Sequence, residues 1–367
     1  MTPPSVLPTD PALPALNAIR TAGVAAAIPG LGLANGDVEL RLCGHTPGSR
    51  ATFETRAEGR RFAIKAYAED PTPEVELYEA LAAAGLAGAT GARVPPLLAW
   101  DRALRVLVIG WLDGVPTNQL IKRGQGRRAG ELAARWLWRA AALPLKLGLP
   151  FGSGHVMYQV GKAVAGLTAA DPALGGVARS VAQLLSRSEP KEAVPSLLHG
   201  TLYARHILDL GDGPGVIDWQ RFGRGPVELD AGMFLATLSR LALRHETHAA
   251  EVALAEEAFL AATRGLLDDR ALAWYRAAGL LHLGGRLLKR EPPAQTRVLV
   301  ADAERFAAQA AERSTDHPPG RVERRAPVRV NVASLELMLQ ALSTRPATPE
   351  EIERIRGLLA ETHGKQR

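Results

Sequence analysis

The run His199-Gly200-Thr201-Leu202-Tyr203-Ala204-Arg205-His206-Ile207-Leu208, followed by Val216-Ile217-Asp218-Trp219, interrupts a long helical pattern and decides how this chain reads. Its first part is a polar loop. Two brief apolar runs follow, His206 to Leu210 and Gly215 to Trp219, around the turn-forming Gly211-Asp212-Gly213, the signature of a small hairpin. Asp218 stands between a β-branched run and a tryptophan, at a strand end beside a polar loop. A hard cation such as Mg²⁺ takes carboxylate oxygens from such a position. Taken alone, a surface aspartate closing a strand is the commoner occupant.

Upstream of this run the pattern changes from helical to β. Three strand-like segments span Asp37 to Cys43, Ala51 to Arg56 and Arg60 to Tyr67, the last two joined by Ala57-Glu58-Gly59. Gly44 to Ser49 reads as a flexible loop between the first two. Thr72-Pro73-Glu74 opens a helix that Gly85 closes. Two further apolar runs, Pro96 to Trp100 and Arg105 to Leu112, end at Asp113-Gly114. Lys65 sits within Phe62-Ala63-Ile64-Lys65, so it is a strand residue, and a cation fixed on a rigid strand suits phosphate oxygens. Glu74 or Glu76 on the next helix is placed to pair with it. A single lysine in an apolar strand is more often surface decoration.

From Glu131 onward the pattern is helical apart from the 197–219 insert, and Ala/Leu-rich helices resume at Asp230 and run to about Glu312. Before the strands lies a proline-rich arm, residues 1–36, with one helical stretch at Pro14 to Ala27. Ser314 to Pro327 is linker-like, and Thr348-Pro349-Glu350-Glu351 is a capping box that opens a last helix. The division expected is an arm at 1–36, a phosphate-binding lobe at 37–114, a helical lobe at 115–312, and a tail at 313–367.

Composition narrows the function. The 367 residues are 47% hydrophobic and 22% charged, which excludes disorder for most of the length. The net charge of +6 is small for this length and argues against nucleic acid as the partner, while suiting a polyanionic small ligand. The lone Cys43 excludes a disulfide framework and fits a reducing compartment. The N-terminus has no basic start, and Thr21 to Gly36, its longest uncharged run, falls short of the about 20 residues a membrane span needs. The expectation is a cytoplasmic protein without membrane contact.

The pattern His-Gly-x-Leu-Tyr-x-x-x-Ile-Leu, then Gly-Val-Ile-Asp-Trp-x-x-x-Gly-x-Gly-Pro-x-x-x-Asp, resembles the aminoglycoside phosphotransferase and choline kinase family, distant relatives of protein kinases. The likeness covers roughly residues 37 to 310 and is most specific from Leu198 to Phe234. It implies an α+β, protein-kinase-like fold: a small antiparallel five-stranded lobe with one helix, then a mostly helical lobe. It implies that Lys65 meets the ATP phosphates, that Glu74 (or Glu76) is its partner, and that Gly44, Gly48 and Ser49 belong to the loop over the phosphates. Ile109 and Trp111 would flank the adenine, Asp218 would bind Mg²⁺, and Asp230 would prop the catalytic loop.

Two positions depart from the family pattern His-Gly-Asp-x-x-x-x-Asn. Thr201 stands where the resemblance places the catalytic aspartate, and His206 where it places the metal-binding asparagine, with His199 opening the loop. A threonine hydroxyl has no accessible proton loss near neutral pH. An imidazole prefers Zn²⁺ or Mn²⁺ to Mg²⁺, or acts in part as the base itself. Two functions follow as expectations: an ATP-dependent phosphotransferase acting on an alcohol group of a small molecule, weakened by the loss of the aspartate, or a pseudokinase that binds nucleotide, or serves as a scaffold, without turnover.

The remaining candidates are weaker. His245 and His248 with Glu251 read as a polar helix face rather than a metal pair. Lys122, Arg123, Arg127 and Arg128 read as a solvated basic loop, the alternative being a grip on an anionic substrate. Arg321, Arg324, Arg325 and Arg329 lie in the linker without the interleaved aromatics of a nucleic-acid site. Of Trp136 and Trp138, two apart on a helix, one is core and the other is free to face the cleft. The chain has no Walker loop, no Gly-x-Ser-x-Gly elbow and no dinucleotide fingerprint.

Overall fold

Proline at the first turn and apolar residues at helical spacing make a helix, α1, of Pro14–Ala27, the first element of the computed structural model, which describes residues 7–34, 36–191, 194–288 and 293–315. Next come β1 (Glu39–Thr46), β2 (Arg50–Ala57), β3 (Arg60–Tyr67), α2 (Thr72–Ala83), β4 (Leu97–Asp101) and β5 (Val106–Gly110). They form one antiparallel sheet in the order β1-β2-β3-β5-β4. Glu58 and Gly59, both at positive φ, close the β2–β3 hairpin as their sequence predicts.

Alternation along the strands sorts the side chains. Phe53, Phe62, Ile64 and Val108 point outward, where Leu16, Ile19 and Val24 of α1 bury them. Ala63, Leu107 and Ile109 point inward and share a core with α2 and the helical region. Lys65 pairs in register with Thr52 and Leu107, so it lies on this inner face.

The helical lobe follows: β6 (Val115–Pro116), α3 (Thr117–Lys122), α4 (Gly126–Ala141), β7 (Leu149–Pro150), α5 (Ser153–Ala170) and α6 (Pro172–Arg187). The insert is β8 (Ser196–Leu198), β9 (Ile207–Asp209), β10 (Pro214–Val216) and β11 (Gly223–Gly225). It leads into α7 (Val227–Arg244), α8 (Ala249–Ala262), α9 (Asp269–Leu287) and α10 (Pro293–Thr315). β9 and β10 pair antiparallel, as the hairpin reading expects. Trp136 and Trp219, both fully buried, meet edge to face at 5.6 Å and join α4 to the end of the hairpin.

Several expectations change. Gly44, His45 and Thr46 belong to β1, paired with Thr52, Ala51 and Arg50, so the flexible loop contracts to a turn at Pro47 and Gly48. The register shift between Leu42 and Gly44 absorbs Cys43 as a bulge; composition alone does not show that these backbone groups have partners across the hairpin. Helix begins at Thr117, well before Glu131, and α7 starts at Val227 rather than Asp230. Arg127 and Arg128 lie in the first turn of α4, not in a loop, and Arg128 forks onto Asp209 at 3.0 and 2.9 Å. His245 ends α7 and His248 follows in a short 3₁₀ turn, while Glu251 accepts the Gly126 N–H at 2.8 Å and caps α4. Trp136 is core; Trp138 is exposed and donates its indole N–H to the Ala262 carbonyl.

α10 runs through Ser314 and Thr315, into the segment read as linker. The rest of that linker, its arginines and the capping box at 348–351 lie outside the described residues. Among the described residues no helix is long and apolar enough to cross a membrane.

Candidate active site

On the inner face of the sheet, the Lys65 ammonium donates to Glu74 Oε1 at 2.6 Å, and both groups are buried. Tyr67, two residues along β3 and therefore on the same face, donates its hydroxyl to Glu74 Oε2 at 2.6 Å. Glu76 is exposed. Period-two spacing from Lys65 is the signal that would have found Tyr67 in the sequence. Burial, then the Glu74 charge, raises the Tyr67 phenol well above its usual value, so it stays a donor. The carboxylate is saturated from both sides, which fixes the lysine's direction.

Further out on this face, Glu54 accepts from Arg41, Arg56 and Arg61. Burial pushes its carboxyl up, but the three arginine hydrogen bonds outweigh that and hold it at about 2. Arg61 also pairs with Asp113 and lies 4.3 Å over the Trp111 ring, just beyond the end of β5. Ile109 is buried within β5. At the β1–β2 turn, Gly48 has φ +69 and donates its N–H to Asp10 Oδ2 at 2.8 Å; the same oxygen meets His45 Nε2 at 3.0 Å. Ser49 is held by backbone bonds to Thr46 and Ala68. Nothing in the spacing of the sequence pointed to Asp10.

On the helical-lobe side, Asp230 in the first turn of α7 accepts the His199 N–H at 2.6 Å and the Gly200 N–H at 2.9 Å. Burial pushes the Asp230 carboxyl up to about 7 against the pull of these two donors. Gly200 has φ +75, and a Cβ there would fall 2.0 Å from the Arg221 carbonyl oxygen, so only glycine fits. The loop is thus shaped by a carboxylate behind it and a backbone contact beside it.

The two imidazoles have defined tautomers, because a carbonyl can only accept. His199 donates from Nε2 to the Ile217 carbonyl at 2.8 Å. His206 donates from Nδ1 to the Thr201 carbonyl at 2.9 Å, which leaves a lone pair on Nε2. That buried nitrogen makes no hydrogen bond, yet it lies 3.4 Å from Asp218 Oδ2. Burial, with His199 adding to it, lowers His206 to about 3, so the ring is neutral and two acceptors face one another. A cation between them is what such a pair fits. Asp218 itself adopts φ +70, a left-handed backbone that costs a non-glycine residue roughly 1–2 kcal/mol. Burial raises its carboxyl, and the surrounding positive charge, Lys65 first, more than offsets that. Thr201 presents a half-buried side chain and no carboxylate. Among the described residues no group of three or more His, Cys, Asp and Glu gathers as a metal site, so a cation here would draw on two protein ligands.

In apo form, a thermostable mutant of aminoglycoside phosphotransferase APH(4)-Ia is 13% identical, covers 74% of this chain and 95% of its own, and superposes with a TM-score of 0.53. A choline/ethanolamine kinase family protein from Mesorhizobium loti is 20% identical, covering 79% of this chain and 93% of its own with a TM-score of 0.48. Spectinomycin phosphotransferase APH(9)-Ia in complex with ADP and spectinomycin is 12% identical over 76% of this chain and 94% of its own, at 0.48. The first of these shares the fold. No curated protein matches the chain. The model of the phosphotransferase enzyme family matches residues 49–275, from the β1–β2 turn into α9, and this chain therefore belongs to the phosphotransferase enzyme family.

Proposed function

We propose that the protein transfers the γ-phosphoryl group of ATP to a hydroxyl of a small molecule held in the cleft. The observation that carries this is the buried Lys65–Glu74 pair at 2.6 Å, on the face whose charge also reaches Asp218. A buried lysine with no other partner than one glutamate is costly to keep. It is explained if a phosphate takes the remaining donors.

Asp218 and His206 would hold a divalent cation, which when bound neutralises phosphate charge. The Nε2 lone pair favours Mn²⁺ over Mg²⁺ relative to an amide ligand. Held neutral and aimed at Asp218, His206 serves as a ligand and not as a base. Gly48 and Ser49 in the β1–β2 turn would cover the phosphates, and Ile109 and Trp111 would flank the base of the nucleotide. Phosphoryl transfer relies mainly on positioning and charge, so an enzyme without the aspartate is slowed rather than silenced.

Thr201 favours the second reading, a nucleotide-binding protein without turnover, since no carboxylate stands at the position where an acceptor hydroxyl would approach. The test is a thermal-shift titration with ATP and Mn²⁺ or Mg²⁺, with phosphoryl transfer followed over a panel of hydroxylated acceptors. Wild type gains melting temperature with the metal–ATP complex, and Lys65→Ala and Asp218→Asn lose that gain. Thr201→Asp, alone and with His206→Asn, raises transfer about tenfold, equivalent to ~1.4 kcal/mol of barrier. Binding without transfer in every form supports the pseudokinase. Equal ATP shifts in wild type and Lys65→Ala end the phosphotransferase reading.

A further inference from the structure

The β1–β2 turn is held by a residue that lies 38 positions before it. Thr46-Pro47-Gly48-Ser49 closes on a 3.0 Å bond from the Ser49 N–H to the Thr46 carbonyl. Proline in the second place and glycine at φ +69 in the third follow the type II pattern. Gly48 then donates its N–H to Asp10 Oδ2 at 2.8 Å, and His45 Nε2 reaches the same oxygen at 3.0 Å. The Asp10 side chain is only 6% exposed. The His45 contact, and after it the Gly48 N–H, lowers the Asp10 carboxyl, so both bonds end on an anion.

Asp10 stands on a rigid strut. Its Oδ1 accepts the Ala12 N–H at 3.1 Å and its carbonyl accepts the Leu13 N–H at 3.1 Å, just before α1 begins. Arg20, in α1, donates to the Pro8 carbonyl at 2.9 Å and ties the arm back onto the helix. Leu13, Leu16 and Ile19 share one buried core with Phe53, Phe62 and Ile64 on the outer face of the sheet. All of these arm residues precede Ser49, where the family match begins.

Register decides what the contact leaves open. His45 pairs with Ala51, which is buried in the α1 core, so Asp10 reaches the turn from the outer face. Arg50 and Thr52, on either side of Ala51, pair with Tyr67 and Lys65 and therefore lie on the inner face. The arm takes one side of the turn and leaves the side toward Lys65 to a ligand.

We infer that Asp10 is a positioning residue for the nucleotide: from outside, the arm holds the β1–β2 turn in the shape that meets the phosphates before they arrive. This inference rests on the phosphotransferase reading and adds to that site a support drawn from the N-terminal arm. A turn fixed in advance removes an ordering cost that binding would otherwise carry. Asp10 acts through the turn and not on the phosphates.

The experiment uses the full chain and titrates Mn²⁺–ATP and adenosine separately, by calorimetry, against wild type and Asp10→Ser. Serine keeps a hydroxyl for the Ala12 N–H, but its oxygen falls one bond short of Gly48. Asp10→Ser weakens ATP about fivefold or more and adenosine less than twofold, because adenosine has no phosphate for the turn to cover. Without ligand, hydrogen exchange of residues 44–52 is faster in Asp10→Ser than in wild type. If Asp10→Ser does not fold, His45→Ala, which removes only the second contact to Oδ2, is read in the same way.

An equal loss for ATP and adenosine, or unchanged exchange in the turn, overturns the inference. A wild type that binds no ATP, while Asp10→Ser loosens the turn, keeps the support and ends the phosphotransferase reading. Equal ATP affinity in both proteins keeps that reading and ends this inference.

Discussion

The two walls of the site hold their charges by opposite means. On the sheet wall every buried charge has its partner within the fold: Lys65 and Tyr67 on Glu74, and three arginines on Glu54. On the loop wall the backbone does the positioning, through Asp230 and the two carbonyls that fix His199 and His206. There the lone pair of His206 faces the Asp218 carboxylate. The sheet wall pairs its charges internally, with lysine donors left over. The loop wall is arranged around charge that arrives with ligands, and the departures from the family pattern, Thr201 and His206, both lie on it.

The largest effect is expected on the sheet wall. Glu74→Ala strands a buried ammonium and should destabilise the protein by about 3–5 kcal/mol in urea unfolding. Joint replacement, Lys65→Met with Glu74→Leu, should restore most of that stability while abolishing the ATP shift. A loss below ~1 kcal/mol for Glu74→Ala would mean that the pair positions without supporting the fold.

The counterpart on the loop wall is Asp230→Asn, which replaces one acceptor oxygen under His199 and Gly200 with a donor. The expected loss is about 1–3 kcal/mol, accompanied by weaker metal–ATP stabilisation. Unchanged metal–ATP binding would show that the loop keeps its shape without Asp230, and the contrast between the walls would fade.

A third, smaller effect separates them by pH. Glu54 has a folded value of about 2 against an ordinary 4.5, so the unfolded chain takes up the proton first. Its contribution is complete above pH 4.5 and is lost as pH falls toward 2. Glu54→Gln should lower the melting temperature most at pH 7 to 8, where the contribution is complete, and flatten the acid limb so that the two curves converge as pH falls toward 2. An acid limb identical to wild type would mean the three arginines give Glu54 no net stabilisation.

The sequence made the sheet wall readable because its signals are local. Alternation placed Lys65 on a strand, the capping pattern placed Glu74 on the next helix, and the spacing of Pro14 to Ala27 marked the first helix with its observed bounds. The loop motif was legible as a motif, including Asp218 and Asp230. What could not be read is what joins distant residues. Asp10 reaches Gly48 across 38 positions, and Phe151 reaches Gly200. The β1–β2 turn was misjudged for the same reason, since Gly44 to Thr46 look flexible until their partners in β2 are known.

The outward cover of the sheet also sets an order of events during synthesis. Leu16, Ile19 and Val24 of α1 are among the first residues made, but Val106 and Val108, part of the surface they cover, follow about 80 residues later. At the usual elongation rate of about 5–20 residues per second, the nascent helix waits on the order of 4–16 s with its apolar face incompletely matched. For that interval the growing chain, and not the finished protein, is the species most exposed to chaperones and to aggregation.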